Sequence, residues 1–294
     1  MGKIFSILFI LISISTQVLS QNAQDSLRVL NVMDLQELDS ILNQNVNVTY
    51  LSLGLNDLGT LPETIAKMVM LKKLELYGNN LKVLPDWIAN LERLEEINLA
   101  YNRNMDLPEV LFTLSRLPRL KKLYLYGNSI KNLPSQIGKL KQLEYLDLSR
   151  NDLQSLPMEM QELPKLTTLI LSENNKLNLR NILKILCRLK SLQILILNNC
   201  DIRELPEDIG NLTTLKKLYL NFNEIENLPT TIGNLTNLQI LSLVGNSLRS
   251  LPSNIKNLKN LKLLFVGNQL SAEEIEKTRY LLPTCKLVVN PRKF

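Results

Sequence analysis

The chain has 294 residues, of which 45% are hydrophobic and 21% are charged, and its formal net charge is +6. This length and apolar content are ample for a sizeable buried core, whereas a nucleic-acid binder would show a stronger, clustered positive charge. Because the sequence contains no histidine, histidine-based catalytic triads and histidine metal sites are excluded. The sequence also lacks the phosphate-binding motifs GxxxxGK[ST] and GxGxxG and the nucleophile motif GxSxG. We therefore expect no enzyme activity, no cofactor, no metal site and no nucleic-acid partner.

Residues 1–20 have the layout of a secretory signal peptide. Lys3 precedes an apolar run of about 11 residues, and Val18 and Ser20 occupy the −3 and −1 positions of a cut before Gln21. The run is shorter than the roughly 20 residues that span a bilayer. We expect a mature protein without a membrane segment that is secreted, periplasmic or exposed at the cell surface. The alternatives are a retained N-terminal anchor helix and, if residues 1–20 are not a signal, a cytoplasmic protein.

Residues 21–47 are predicted to be an N-terminal segment that ends in a helical cap. We expect no regular structure in residues 21–33. Residues 34–44, DLQELDSILNQ, have apolar residues at helical spacing and predict an amphipathic helix. Such a helix would cover the apolar end of the repeats that follow.

Ten copies of the pattern LxxLxLxxNxL occupy residues 48–270, and successive copies start 23 or 26 residues apart. The alternating end of LxxLxL predicts a short strand whose leucines face a core. An asparagine in the ninth place can bond backbone groups where the chain turns away, since a buried unpaired group would cost roughly 1–3 kcal/mol. In eight copies an LP pair follows, and its proline restricts the backbone as the return segment begins.

These motifs resemble those of the leucine-rich repeat family. Segments such as LPSQIGKL, LPEDIGNL and LPTTIGNL are similar to its LPxxI subclass, which includes Ras-suppressor-like, plant intracellular and bacterial proteins. The resemblance covers about residues 35–290. It implies an α/β solenoid shaped like a horseshoe, with ten coils, a parallel sheet on the concave face, a helical or irregular convex side, and a cap at both ends.

Further helices are predicted in the longer repeats and at the C-terminal end. Both 26-residue copies have apolar residues at helical spacing, in residues 107–120 and 179–192, so we expect α-helical turns there. Residues 271–294 are predicted to be the C-terminal cap, with a helix that begins at Ser271 and a last strand at residues 287–289.

Charged residues near the strand starts alternate in sign from repeat to repeat: Lys72-Lys73, Glu95-Glu96, Lys121-Lys122 and Glu144-Tyr145. Strands in register would place them in a cross-strand ladder, in which each exposed pair is worth about 0.2–1 kcal/mol. Glu144 and Asp147 are a carboxylate pair that could do acid–base chemistry. We expect both to be exposed strand residues with nothing to raise a pKa.

The three cysteines, Cys187, Cys200 and Cys285, are far apart and form no CxxC motif, so we expect no zinc site. Cys200 occupies the ninth place of its repeat, where a thiol only weakly imitates the amide. We expect it to be structural rather than reactive. The sequence leaves open whether any cysteine forms a disulfide.

Seven of the eight tyrosines fall at outward-facing places of the strands. One explanation is structural, because tyrosine favours strands and stabilises them by cross-strand packing. The other is functional, because tyrosine is enriched at interaction surfaces. We expect two candidate binding sites on the concave face. They are a tyrosine patch (Tyr77, Tyr101, Tyr124, Tyr126 and Tyr145) and a basic patch (Lys216, Lys217, Tyr219 and Phe222).

These features together predict a non-catalytic protein-binding module, monomeric, whose partner is another protein. Two alternatives remain open at this point. One is an intracellular signalling scaffold, and the other is a protein that binds glycans or cell wall through the aromatic residues of the concave face.

Overall fold

The computed structural model describes residues 28–31, 47–267 and 269–289. The predicted signal peptide at residues 1–20 and the predicted cap helix at residues 34–44 lie outside the described residues, as does Asn268. The boundaries assigned from the sequence to these segments stay predictions.

The described residues form one parallel sheet of 12 strands, in which each strand pairs with its neighbours in the chain. Strands β2 to β11 each lie in one LxxLxL segment, which confirms the predicted solenoid; we number the corresponding coils one to ten. The strands are β1 (Arg28–Asn31), β2 (Val48–Ser52), β3 (Lys73–Glu75), β4 (Glu96–Asn98), β5 (Lys122–Tyr124), β6 (Tyr145–Asp147), β7 (Thr168–Ile170), β8 (Ile194–Ile196), β9 (Lys217–Tyr219), β10 (Ile240–Ser242), β11 (Leu263–Phe265) and β12 (Lys286–Val288).

The two ends of the sheet differ in part from the sequence-based expectation. Residues Arg28–Asn31 form β1 and pair in parallel with β2, so the prediction of no regular structure in residues 21–33 is wrong there. An added strand satisfies the backbone N–H and C=O groups that β2 would leave open at a sheet edge. At the other end, β12 begins one residue before the predicted strand and pairs with β11.

The return segments are mostly short 3-10 helices, each preceded by the proline of the LP pair. The two 26-residue repeats have room for full α-helical turns, as predicted, in α1 (Leu107–Leu114) and α2 (Leu179–Leu186). The terminal helix α3 (Ala272–Leu281) is capped by Ser271, whose side chain accepts a hydrogen bond from the Glu274 N–H at 3.2 Å. The described 3-10 helices are Glu63–Lys67, Asp86–Asn90, Ser135–Lys139, Met158–Glu162, Glu207–Asn211, Thr230–Asn234 and Ser253–Asn257.

One continuous core fills the space between the sheet and the return segments. In coil four, Leu123 and Leu125 from the strand side and Ile137 from the 3-10 helix are all 0% exposed, and the other coils repeat this arrangement. No helix among the described residues combines the length and the apolar character that crossing a bilayer requires.

The ninth-place asparagines link consecutive coils. Asn151 Oδ1 accepts hydrogen bonds from the N–H groups of Asn128 and Ile130 in the preceding coil, both at 3.0 Å. Its Nδ2 donates to the Leu125 carbonyl of that coil at 3.0 Å and to its own coil's Leu148 carbonyl at 2.9 Å. One buried amide therefore satisfies four backbone groups, which fixes the register that positions the outward side chains.

Candidate functional site

The outer face of the sheet carries the side chains at the third, fifth, seventh and eighth places of each repeat. This is the concave face expected of the solenoid. Strand register places equivalent positions side by side: Lys73 pairs with Glu96, Glu96 with Lys122, and Lys122 with Tyr145. Consequently a binding surface on this face is built from several coils, and its chemistry is set by which residues occupy the same place in successive repeats.

The predicted charge ladder is present on β3 to β5. Lys73 Nζ lies 2.8 Å from Glu96 Oε1 and 3.0 Å from Glu75 Oε1, and Lys122 Nζ lies 3.2 Å from Glu96 Oε2. Partial burial alone would raise the pKa of Glu96, but its bonds to the two lysines outweigh that effect and lower the pKa. The negative charge of Glu96 is therefore balanced by lysines of the protein itself, and we assign this residue a structural role.

Four members of the tyrosine patch form two ring pairs. The Tyr101 and Tyr126 rings are 5.2 Å apart and meet edge to face at 83°, whereas the Tyr124 and Tyr145 rings are 5.0 Å apart and tilted by 44°. Burial raises the pKa of Tyr124 to about 12, so its hydroxyl is protonated at neutral pH. The Tyr101 hydroxyl accepts a hydrogen bond from Arg150 Nη1 at 3.1 Å. These contacts hold the rings in place while leaving part of each accessible.

Tyr77 belongs to the same face but not to these ring pairs. A Cβ placed on Gly54 would lie 2.2 Å from Tyr77 Cε1, so the ring covers the glycine of the first coil. A side chain at residue 54 would displace the Tyr77 ring from this position.

Two aromatic residues occupy left-handed backbone positions at the eighth place of their coils. Tyr101 has φ 54° and Phe222 has φ 55°, a conformation that costs a non-glycine residue about 1–2 kcal/mol. Each ring lies over the glycine at the same place of the next coil, since a Cβ on Gly127 or Gly245 would come within 2.4 Å or 2.7 Å of it. Burial does not explain these residues, because Tyr101 is 37% and Phe222 is 62% exposed.

Lys217 and Tyr219 of the basic patch lie on β9, with Lys216 directly before this strand and Phe222 after it. Lys216 is exposed and Lys217 is half-buried, and among the described residues neither forms an ion pair. Register places Lys217 between Ile194 on β8 and Ile240 on β10. Tyr219 follows on the same strand, facing outward.

Sequence reasoning missed a group of half-buried aliphatic side chains on the concave face of β7 to β11. The available signal was the run ILI at residues 194–196, where apolar residues occupy both strand faces and the usual alternation is lost. The group is Ile170, Ile194, Ile196, Ile240 and Leu263.

The expectation for Asp147 is wrong. This residue is only 9% exposed, and register places it between Tyr124 on β5 and Ile170 on β7. Its Oδ1 accepts hydrogen bonds from the Ser149 N–H at 2.9 Å and the Ser149 Oγ at 2.6 Å. Burial raises the pKa of Asp147, and the bonds from Ser149 offset this only in part. Asp147 acts electrostatically on Tyr124 and Tyr145, a proximity that residue spacing alone does not reveal. Glu144 is partly exposed.

The cysteines have the environment of structural residues. All three are free, and burial raises the pKa of the Cys200 and Cys285 thiols to about 11, which keeps them protonated and weakly nucleophilic at neutral pH. Within the described ranges, no group of three or more cysteine, aspartate or glutamate side chains is arranged to hold a metal ion.

Comparison with known proteins agrees with this architecture. Residues 46–103 and 118–177 match a family model described as leucine rich repeat, and residues 173–281 match one described as leucine-rich repeat region. Neither description distinguishes the LPxxI subclass, which stays a prediction. No curated protein matches the chain.

Solved structures include an internalin from Listeria monocytogenes, with a TM-score of 0.57 and 22% identity over 83% of this chain and 75% of that one. They also include a leucine-rich repeat protein from Leptospira interrogans, with 26% identity over 85% of this chain and 98% of that one, at a TM-score of 0.30. The internalin likeness concerns the fold alone. The family matches cover most of the described chain, and this protein belongs to the leucine-rich repeat family.

Proposed function

We propose that this protein is an exported, non-catalytic binding module whose concave face recognises another protein mainly through the tyrosine patch. The observation that carries the proposal is the pair of tyrosine ring contacts at 5.0 and 5.2 Å. They preorganise four aromatic side chains on an accessible sheet, and aromatic anchors of low conformational freedom supply much of the affinity in protein interfaces.

The exposure of Tyr101 and Phe222 supports this assignment. The left-handed backbone at their place recurs in coils one to nine, with glycine in three of them and residues such as Arg150 and Glu173 in others. The two rings stay 37% and 62% exposed on the sheet face, which leaves them available to a partner. The aliphatic group on β7 to β11 extends the surface beside the basic patch, so the partner would cover both halves of the concave face.

Export rests on the layout of residues 1–20, and the partner would then be an extracellular, surface or periplasmic protein. Glycan binding is the second use of aromatic residues that the sequence suggests. Edge-to-face and tilted contacts favour a protein over a sugar here, since each ring already uses part of its surface against its neighbour.

An affinity capture experiment tests the proposal. Immobilised wild type, Tyr124→Ala/Tyr126→Ala and Phe112→Ala would be exposed to secreted and surface proteins and, in parallel, to a glycan array. Phe112 is a matched aromatic control, because it is 45% exposed but lies on α1, away from the sheet. We expect a protein that binds wild type and Phe112→Ala and is lost by the double variant. Equal capture by all three, or binding to glycans alone, contradicts the proposal.

A further inference from the structure

The carboxylate of Asp147 is the one acidic group on the tyrosine patch without a cation of its own in the described part of the chain. Glu75 and Glu96 are paired with Lys73 and Lys122 at 2.8–3.2 Å. Within the described ranges, Asp147 receives hydrogen bonds only from Ser149, and both end on Oδ1. Its Oδ2 therefore has lone pairs to offer to another donor.

Lys122 on the preceding coil and Arg150 on the same coil are engaged elsewhere. Lys122 Nζ bonds to Glu96, and Arg150 Nε lies 3.0 Å from both carboxylate oxygens of Glu173. A carboxylate that is nine-tenths buried without a cation is costly to the fold. Consistent with its isolation, burial raises the pKa of Asp147, and no cation lowers it.

The local turn does not require a charge at this position. Asn98 occupies the same fifth place of coil three, and its Oδ1 accepts a hydrogen bond from the Ala100 N–H at 3.0 Å. This is the bond that Asp147 accepts from the Ser149 N–H at 2.9 Å. Since an uncharged amide oxygen performs this structural role two coils away, the turn does not need the negative charge of Asp147.

The surroundings of Asp147 suit a cationic side chain. Tyr124 lies opposite it on β5, and Tyr145 precedes it by two residues on the same face of β6. The two rings are 5.0 Å apart, and a cation at the carboxylate gains further stabilisation where it also comes within about 6 Å of a ring centroid. Burial raises the pKa of Tyr145, and the Asp147 carboxylate raises it further, as expected for groups that share one electrostatic environment.

We propose that Asp147, flanked by Tyr124 and Tyr145, is the receptor for a lysine or arginine side chain of the protein partner. The inference rests on the proposed function and specifies its chemistry: the partner inserts one cation into the tyrosine patch. Binding supplies the missing counter-charge, forms a charge-assisted hydrogen bond to Oδ2 and removes the cost of the isolated carboxylate.

A phage-displayed library of random peptides, selected on the immobilised protein, tests this assignment. We expect the enriched peptides to share one lysine or arginine next to apolar residues. Each selected peptide would be measured against wild type, Asp147→Asn and Glu144→Gln. The last variant removes a partly exposed carboxylate three residues away on the same coil. Asp147→Asn should weaken binding at least about tenfold, the loss of one charge-assisted bond, and Glu144→Gln less than about twofold.

The Tyr124→Ala/Tyr126→Ala variant separates this inference from the proposed function. If that variant loses the peptides while Asp147→Asn retains them, the binding surface stands and the cation receptor is refuted. If neither change weakens binding, or if no peptide is enriched, both are refuted. Peptides enriched without a shared cation also overturn the assignment.

Discussion

Replacing Cys200 with asparagine should stabilise the protein, because it restores the amide that the ninth place of coil seven lacks. The neighbouring coil shows what is missing. Asn223 Oδ1 accepts from the N–H groups of Cys200 at 2.9 Å and Ile202 at 3.2 Å. Its Nδ2 donates to the carbonyls of Leu197 at 2.8 Å and Leu220 at 2.9 Å.

The thiol reproduces only part of this arrangement. Cys200 Sγ lies 3.3 Å from the Leu171 carbonyl and 3.4 Å from the Asn198 carbonyl, so it imitates the donor half of an amide, and its sulfur is only a weak acceptor for the backbone of coil six. An asparagine adds two hydrogen bonds to backbone N–H groups. At about 0.5–1.5 kcal/mol each, they should raise the free energy of unfolding by about 1–3 kcal/mol.

Urea unfolding followed by circular dichroism would measure the change, with the m-value checked to be the same in both proteins. The reverse substitution Asn223→Cys is the matched control and should lower the stability by a similar amount. If Cys200→Asn leaves the unfolding midpoint unchanged or lowers it while Asn223→Cys destabilises, the pocket at residue 200 is shaped for sulfur and the reasoning fails.

Four further predictions concern the sheet and its outer face. Leu123→Ala should cost about 2–5 kcal/mol through a core cavity and Tyr124→Ala far less, as measured by urea unfolding; equal losses would place the strand register one residue off. Glu96→Gln should lower the free energy of unfolding by about 1 kcal/mol at pH 7. Because the pKa of Glu96 is lowered in the fold, acid should protonate the wild-type carboxylate and reduce the difference between the two proteins, as followed by thermal unfolding. Asp147→Asn should instead raise the melting temperature at pH 7, since the pKa of Asp147 is raised in the fold. The gain should vanish when the pH falls below the ordinary pKa of an aspartate. A lower melting temperature of the variant at pH 7 would show that the charge stabilises the fold. Gly127→Ala should destabilise through its φ of 71° and a clash with a ring, and equal stability of the two proteins would contradict this geometry.

The strands, the LP turns and the charge ladder could be predicted from sequence because the repeat determines which residues become neighbours. Parallel strands in register bring the same place of successive repeats together, so Lys73, Glu96 and Lys122 must be neighbours once the repeat is aligned. The two α-helical returns follow from the same alignment, since 26-residue copies have three residues more than the others.

The environment of individual side chains on the concave face could not be predicted in this way. Asp147 is buried between the larger residues Tyr124 and Ile170 of the adjacent strands, and the Tyr77 ring occupies the space that a side chain at residue 54 would need. Both outcomes depend on side-chain sizes across coils rather than on the period. Strand β1 was missed because RVLN at residues 28–31 lacks the repeat pattern and is recognised only by its pairing with β2.

Hydroxyl-radical footprinting of the protein, free and bound to its captured partner, tests the central claim most directly, because it maps the contact surface without any substitution. The account predicts that Tyr124, Tyr126 and Tyr145 become protected from oxidation in the complex, while Phe112 and Met158, exposed on the return side, react as before. Protection of Phe112 and Met158 with unchanged reactivity of the three tyrosines would place the partner on the convex side and contradict the account.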